Sequence, residues 1–448
     1  EGSQVLVDNA ADIQAAAVYG ATGISAVASG LGGSAQVNNS GDITVTQNAS
    51  INSYGAYGIL VSGDASAVID NSGDITVSSR GPAFGMVAQT TTGSASASNS
   101  GDVVVTSTRN STSVSAIGIL AAGGYGTASV DNSGSVTATG VRVASGVDIS
   151  AYGDVSVDNT GDISAIANAA SGLSGRANGI KAISGTGDIT IDNVGDVYAR
   201  GRTLALSVYA LAYGGDITVN NDVDGYIGFF SAAGRGWGVW TYAADGDVTI
   251  DNQGYIGGLS ASSAYGVLAQ APQGEVSVDN GGVIDVTSAA GTARGVLAVT
   301  STGTASITNT GDISATSGIP GFTGTSAYGV IASGAYADVS NSGNITAQGN
   351  TVAAGVVAQS AYGANVSSTG GNIYAIANGT AIGISASASY GEATVDNAGN
   401  VVAVAYQGNA TGIVANGYYG ASVQNSGAVA VGGLNNATAI SAISDAGD

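Results

Sequence analysis

Aspartates that recur at intervals of about 30 residues are the side chains of this sequence best placed to do chemistry. Carboxylates held on successive turns of a repeat repel one another, and a hard cation such as Ca²⁺ would relieve that repulsion. The sequence therefore offers weak candidate calcium ligands at Asp12, Asp42, Asp74 and Asp102. The alternative is a solvated series of Asx turns. The charge repulsion within this series is lower where a neutral residue replaces the aspartate, at Ser135, Asn344, Asn372 and Asn400.

Catalytic carboxylates would need a partner that the sequence does not single out. Glycosidases use two carboxyl groups ~5–9.5 Å apart, but aspartates on neighbouring turns of any stacked repeat are that close. There is no His and no Cys, which removes the commonest acid–base side chain and every thiolate or disulfide. We therefore predict a protein that is not an enzyme and has no cofactor, with Ca²⁺ kept as a weak alternative. A polysaccharide-active enzyme is the third alternative for its function.

Composition excludes several classes of partner. The net charge is −22, from 31 acidic and 9 basic residues, whereas nucleic-acid binding needs a basic surface. No stretch reaches the ~18 consecutive apolar residues of a membrane helix, so we expect no membrane span. A chain without Cys, acidic and rich in small residues is typical of an extracellular bacterial protein, at the cell surface or in the matrix.

An internal repeat organises the whole chain. Phrases such as "IDNSGDITV" and "VDNTGDISA" recur, and the step from the first Asn to the last is 416 residues over fourteen repeats, about 30 each. Ser368 takes the Asn place in one copy. The other copies place an asparagine at Asn9, Asn39, Asn71, Asn99, Asn132, Asn159, Asn193, Asn221, Asn252, Asn280, Asn309, Asn341, Asn397 and Asn425.

Alternation of apolar and polar residues predicts strands around these repeat asparagines. Val or Ile stands two residues before most of the asparagines, and a second alternating run follows the turn, as in "ITV" at 43–45. A third run begins with Gly and Ile or Val, as in "GILV" at 58–61. Period two places one set of residues on one face. Three short strands per repeat predict an all-β fold, a parallel β-helix (β-solenoid) of about 15 coils, as one continuous domain over 1–448.

The asparagines fall on the inward face of this pattern. Stacked at ~4.7 Å, their amides are expected to form a structural ladder. The glycine that follows in the turn is expected to supply a backbone geometry that other residues resist.

Residues 200–242 are the irregular, aromatic-rich part of the repeat. Leu206 stands where the glycine of the third strand is expected. One interpretation is a lateral contact or a sugar-binding patch formed by Phe229, Phe230, Arg235, Trp237 and Trp240. The other is that these aromatics stack on one another along the solenoid. A further outer stacked row is expected from Tyr19, Tyr57, Tyr265, Tyr328 and Tyr362.

The first and last residues complement each other as parts of a repeat. Joined end to beginning they give an Asn-to-Asn length of 23 plus 9, or 32, within the 27 to 34 seen elsewhere. Copies of the chain could therefore meet head to tail, and an open contact of this kind builds a filament. The expected interface residues are Val5, Leu6, Val7 and Asn9 at one end and Ile440, Ala442 and Ile443 at the other. The alternatives are an excerpt from a longer array and a capped monomer.

The "NSGDIT…GI" copies resemble the repeats of bacterial autotransporter passenger domains and of filamentous-haemagglutinin-type adhesins. The resemblance covers residues 5–443 and implies a right-handed β-helix at the cell surface that acts in adhesion, aggregation or biofilm. No signal segment or translocator barrel is recognised within the sequence, so the resemblance does not extend to a secretion route.

Two functions follow from these observations. The first is an extracellular structural subunit that completes a split coil between successive copies and so forms a fibre. The alternative is an adhesin rod whose partners are surface glycans or matrix polysaccharide.

Overall fold

The structure is a computed structural model that describes residues 2–48, 55–109, 115–318 and 325–446. Within these ranges the chain consists of β-strands and short connections, without a helix. Every pairing is parallel and joins a strand to its counterpart one turn away, as β1 (Gln4–Asn9) joins β4 (Ser34–Asn39). The predicted fold is confirmed: the chain is a parallel β-solenoid of about fifteen turns, counted over two compact units. The right-handed winding stays a prediction.

Each turn contains three strands, which we name by the residue that marks them. An asparagine strand such as β4 ends at the repeat asparagine, and a middle strand such as β5 (Ile43–Gln47) follows the turn. A glycine strand such as β6 (Ala56–Gly63) completes the coil. Like strands stack on like strands in fixed register, as Ile43 pairs with Ile75 of β8 (Ile75–Ser79).

Unit 1 comprises residues 1–219 and 225–232. Its further asparagine strands are β7 (Ser66–Asn71), β10 (Ser94–Asn99), β13 (Ala128–Asn132), β16 (Val155–Asn159) and β19 (Ile189–Asn193). Its further middle strands are β2 (Ile13–Ala17), β11 (Val103–Ser107), β14 (Val136–Gly140), β17 (Ile163–Ala167), β20 (Asp196–Gly201) and β23 (Tyr226–Ser231). Its further glycine strands are β3 (Ala21–Val27), β9 (Ala83–Thr90), β12 (Ser115–Ala122), β15 (Val143–Ala151), β18 (Arg176–Ser184) and β21 (Leu204–Ala212).

Unit 2 comprises residues 220–224 and 233–448, and the asparagine strand β22 (Ile217–Asn221) is divided between the two units. Its glycine strands are β24 (Arg235–Ala243), β27 (Ser263–Ala271), β30 (Ala293–Thr300), β37 (Thr380–Ala388), β40 (Asn409–Gly417) and β43 (Asn436–Ser444). Its further asparagine strands are β25 (Val248–Asn252), β28 (Val276–Asn280), β31 (Thr304–Asn309), β38 (Glu392–Asn397) and β41 (Gly420–Asn425). Two long strands combine a glycine strand with an asparagine strand, namely β33 (Ser326–Asn341) and β35 (Val352–Ser368). Its middle strands are β26 (Tyr255–Ser260), β29 (Val283–Ser288), β32 (Asp312–Ser317), β34 (Ile345–Gly349), β36 (Asn372–Ala377), β39 (Asn400–Ala405) and β42 (Val429–Gly433).

The core of each turn is a small set of inward aliphatic side chains. In one turn of unit 1 these are Val37, Ile43, Val45, Ile59 and Val61, all essentially inaccessible. Each buried aliphatic side chain contributes roughly 1.5–3 kcal/mol of gross burial free energy. The burial depends on the turns above and below, because a single coil cannot cover its own interior.

Glycines are required here by close stacking of the backbone more than by unusual dihedral angles. Turn glycines such as Gly73 are not among the described residues with positive φ, whereas Gly371, which holds the same place before Asn372, has a φ of 70°. The expected geometric reason therefore applies at Gly371 and not at Gly73. A Cβ on Gly73 would instead lie 2.6 Å from the carbonyl carbon of Gly41 on the preceding turn. In the glycine strands, a Cβ on Gly266 would lie 2.6 Å from the carbonyl oxygen of Gly295.

Residues 200–242 keep the strand pattern of the rest of the chain. The glycine place of β21 is taken by Ser207 and not by Leu206, because Leu206 pairs with Asn178, the residue before Gly179. Ser207 is fully buried, and its Oγ donates to the carbonyl oxygen of Gly228 at 2.5 Å. The single continuous domain over 1–448 stays a prediction.

Candidate functional site

In unit 1 the inward asparagines form an unbroken ladder of side-chain hydrogen bonds. The Nδ2 of each donates to the Oδ1 of the next at 2.7–3.0 Å, along Asn9, Asn39, Asn71, Asn99, Asn132, Asn159 and Asn193. Each Nδ2 also donates to the carbonyl oxygen two residues further on, as Asn39 does to Gly41 at 2.7 Å. Both amide hydrogens are thereby used, as a buried amide requires.

In unit 2 the same ladder is interrupted once. It runs at 2.7–2.8 Å through Asn221, Asn252, Asn280, Asn309 and Asn341. It resumes from Asn397 to Asn425 at 2.7 Å. Between these segments stands Ser368, in register with Asn341 and Asn397. Its short hydroxyl donates to the Gly370 carbonyl at 3.4 Å, and the buried Oδ1 of Asn397 is left without a hydrogen-bond partner among the described residues.

The ladder has a direction, because each bond between two asparagines runs from the Nδ2 of one residue to the Oδ1 of its C-terminal neighbour. Among the described residues, the Oδ1 of Asn9 has no asparagine donor and accepts the backbone N–H of Ala11 at 3.4 Å. At the other end, the Nδ2 of Asn425 donates to the Gly427 carbonyl at 2.8 Å and to no further described group. Within the described residues, the ladder of unit 1 therefore begins at a free acceptor, and the ladder of unit 2 ends at a free donor.

The turns that carry these two asparagines are incompletely covered. In the turn β1–β2–β3, the inward Val5, Val7 and Ile13 are half-buried, whereas their counterparts one turn on are fully buried. In the turn β41–β42–β43, the inward Ile440 is 43% exposed although its partner Ile413 is fully buried. Both turns therefore offer apolar side chains along unpaired strand edges, which favour pairing with another chain.

The remaining predicted interface residues are distributed over the same two turns. Leu6 and Ile443 face outward and are 61% and 49% exposed. Ala442 pairs with Ala415 and is exposed.

The aspartate series bonds to the backbone of neighbouring turns. The Oδ1 atoms of Asp12, Asp42 and Asp74 each accept the backbone N–H of the next aspartate, at 3.2, 3.0 and 2.9 Å. Asp102 accepts the N–H of Ser135 at 3.4 Å. Each carboxylate thus has a structural role without a metal ion. Within the described ranges no group of three or more acidic side chains is arranged as a metal site, and Ca²⁺ binding stays an untested alternative.

A second acidic row lies on the outer face of the asparagine strands of unit 1. Asp131, Asp158 and Asp192 are register neighbours. Partial burial raises the pKa of Asp158, and the adjacent charges of Asp131 and Asp192 raise that pKa further. The row is therefore a site of charge repulsion at neutral pH.

The tryptophans of unit 2 belong to a stacked column along the glycine strands. The rings of Trp237 and Tyr265 are 5.5 Å apart and 10° from parallel, and Trp240 stacks on Trp237 at 5.6 Å. The Arg294 guanidinium lies between Tyr265 and Tyr328, 5.0 and 5.5 Å from their centroids. Ring faces in this column are covered by one another, which matches the interpretation as internal stacking better than an open sugar platform.

The other members of the predicted aromatic patch lie apart from this column. In unit 1, Phe229 is buried in the core, and Phe230 lies 5.6 Å below the Arg200 guanidinium. In unit 2, Arg235 is exposed at the start of β24. Tyr57 of the predicted outer row stacks at 4.9 Å on Phe84, which is not a member of that row.

Exposed tyrosines at one corner of unit 2 are the feature that sequence reasoning missed. They lie where each glycine strand passes into the next asparagine strand, and we call them the tyrosine ridge: Tyr336, Tyr362, Tyr390, Tyr418 and Tyr419. They are 40–66% exposed. Tyr362, which the sequence predicts in the outer stacked row, lies at this corner instead, because it is seven residues beyond Gly355 in β35.

Comparison with protein-family models, curated proteins and solved structures finds no match for this chain. No helix among the described residues is long and apolar enough to cross a membrane.

Proposed function

We propose that this chain is a structural subunit whose copies stack end to end through their terminal turns. In the joint, β1, β2 and β3 of one copy pair with β41, β42 and β43 of the preceding copy. The asparagine, middle and glycine strands of one copy thereby stack on the like strands of the next copy, in the same register as between neighbouring turns within the chain. The proposal concerns these two faces as they stand in this chain.

The observation that carries the proposal is the complementarity of the two ladder ends. The Asn425 amide has a free N–H, and the Asn9 amide has a free oxygen lone pair. A head-to-tail joint pairs this donor with this acceptor. A joint between two identical ends would bring together two donors or two acceptors, each of which would be desolvated without a partner at a cost of about 1–3 kcal/mol. The ladder therefore favours one polarity of assembly.

Apolar burial supports the same joint. Apart from Asn9 and Asn425, most inward side chains of both terminal turns are aliphatic. Ile440 would lie against Ile24, which occupies the same place in β3 as Ile440 does in β43. Heterologous contacts of this kind propagate without closing, which gives a filament. The resemblance to surface-adhesin repeats and the Cys-free, acidic composition support an extracellular bacterial location.

Negative-stain electron microscopy of the purified chain tests the proposal. We expect unbranched filaments from the wild type and discrete particles from Ile440→Asp, which would bury a charge in the joint. Val223→Asp is the control, because Val223 is 70% exposed and lies outside both terminal turns. Circular dichroism should show the same strand content in all three proteins. Discrete particles from the wild type, or filaments from Ile440→Asp, would refute the joint.

The alternative function, an adhesin rod that works as a single particle, is favoured by the exposed tyrosines of unit 2. It predicts discrete particles in the same micrographs. That the chain is not an enzyme stays a prediction, which a turnover assay on acidic polysaccharides would test.

A further inference from the structure

The tyrosine ridge is a concentration of exposed aromatic surface on a polar molecule. Tyr362, Tyr390 and Tyr419 are 56%, 66% and 64% exposed, on three successive turns. Tyr336 lies one turn earlier and is 50% exposed. Large side chains that remain exposed together on a folded surface mark binding sites, and tyrosine is enriched among residues that anchor partners.

The tyrosines of the ridge are largely exposed, and the contacting pairs are tilted or edge-on and not stacked face to face. Tyr336 and Tyr362 meet at 5.9 Å with a tilt of 44°, and Tyr418 meets Tyr419 edge-on at 81°. Within the described residues no aromatic ring stacks on Tyr390. This differs from the Trp237 column of the same unit, where neighbouring groups cover the faces. Open faces are required by a ligand that stacks on the ring.

Charge selects among the ligands that could stack there. Unit 2 contains two basic residues, Arg235 and Arg294, and neither belongs to the ridge. Glu392 is exposed and pairs in register with Gly363 and Gly420, the residues that follow Tyr362 and Tyr419. An anionic polymer would be repelled by this carboxylate.

A neutral sugar polymer meets all of these conditions. The C–H face of a pyranose ring is attracted to the negative face of an aromatic ring, and the Glu392 carboxylate can accept hydrogen bonds from sugar hydroxyl groups. Turns repeat at about 4.8 Å, so a polymer lying along the ridge would meet a tyrosine on each turn. Contacts that are weak singly add up when they are linked in this way.

We propose that the tyrosine ridge of unit 2 binds a neutral polysaccharide laid along successive turns. The proposal does not depend on the end-to-end joint, because Tyr336, Tyr362 and Tyr390 all precede the terminal turn β41–β43.

Affinity electrophoresis in native gels that contain laminarin, hydroxyethylcellulose, dextran or polygalacturonate tests this proposal. The wild type should be retarded by at least one of the three neutral polymers and not by polygalacturonate. The triple variant Tyr336→Ser/Tyr362→Ser/Tyr390→Ser should lose affinity about tenfold or more. Tyr406→Ser is the matched control, because Tyr406 is 63% exposed but lies at another corner, and it should be retarded like the wild type.

Circular dichroism verifies that the variants are folded. The proposal is overturned if none of the neutral polymers retards the wild type, or if polygalacturonate retards it as strongly. It is also overturned if the triple variant keeps its affinity, or if Tyr406→Ser loses as much. Loss of filaments in the triple variant without any retardation of the wild type would identify the ridge as a contact between copies instead, and would equally overturn it.

Discussion

Replacing Ser368 by asparagine should stabilise unit 2, because it repairs the interrupted ladder. Ser368 is buried and in register with Asn341 on one side and Asn397 on the other. An amide at this position can accept from the Nδ2 of Asn341 and donate to the Oδ1 of Asn397, which now has no partner. The same geometry exists at Asn309, where the two ladder bonds are 2.7 and 2.8 Å.

The expected gain follows from the state of these groups. A buried acceptor without a partner costs about 1–3 kcal/mol, and a formed hydrogen bond contributes a net 0.5–1.5 kcal/mol. Ser368→Asn should therefore raise the unfolding free energy of unit 2 by about 1–3 kcal/mol. The reciprocal change Asn309→Ser should lower it by a similar amount, because it creates the same gap in an intact stretch.

Urea unfolding followed by tryptophan fluorescence measures this effect, because both tryptophans, Trp237 and Trp240, lie in unit 2. The control is Ser367→Asn, which adds the same side chain one residue earlier on the outward face. It should leave the midpoint unchanged. If Ser368→Asn is no more stable than the control, the ladder does not stabilise the fold in the way described.

Two further changes test other features of the solenoid. Gly266→Ala should destabilise unit 2 by about 1–3 kcal/mol, because the added methyl would meet a carbonyl oxygen at 2.6 Å. The same urea titration measures this effect, and an unchanged midpoint would contradict the close stacking. Asp158 has a folded-state pKa raised above its ordinary value. Above that pKa, its charged form destabilises unit 1. This destabilisation disappears as the pH falls toward the pKa that Asp158 has in the unfolded state. Asp158→Asn should therefore stabilise the fold at pH 7 by up to about 1 kcal/mol and have no effect near pH 3, as followed by thermal unfolding. Asp279→Asn, with an acid on one side only, should have a smaller effect, and an equal gain at both pH values would contradict the charge-repulsion account.

The turn architecture could be predicted from the sequence because the repeat places residues under a strict geometric rule. Alternation of period two identifies the inward side chains, and Ile43, Val45 and Ile59 are buried as expected. An asparagine on the inward face has no water to bond to, so an amide ladder is the natural solution. Ser368 could be assigned to the same column because the spacing on either side leaves room for one repeat.

The direction of the asparagine ladder, the tyrosine ridge and the glycine place of β21 cannot be predicted from the spacing of the repeats alone. The direction of the ladder depends on which way each amide points, and the residue type does not specify this. The repeat spacing does not reveal the tyrosine ridge, because its members precede the asparagine place by different numbers of residues: five for Tyr336, six for Tyr362 and seven for Tyr390. The sequence pattern places the glycine position of β21 one residue too early, because Leu206 continues the apolar pattern while the small residue is Ser207.

The common orientation of the amides also has an electrical consequence. In a β-sheet the peptide dipoles alternate and largely cancel, but the asparagine side chains of unit 1 all point the same way. Amide dipoles of about 3.5 D each therefore add along the stacking direction. Copies joined with one polarity would sum these moments, and a suspension of such fibres should align in an applied field and become birefringent.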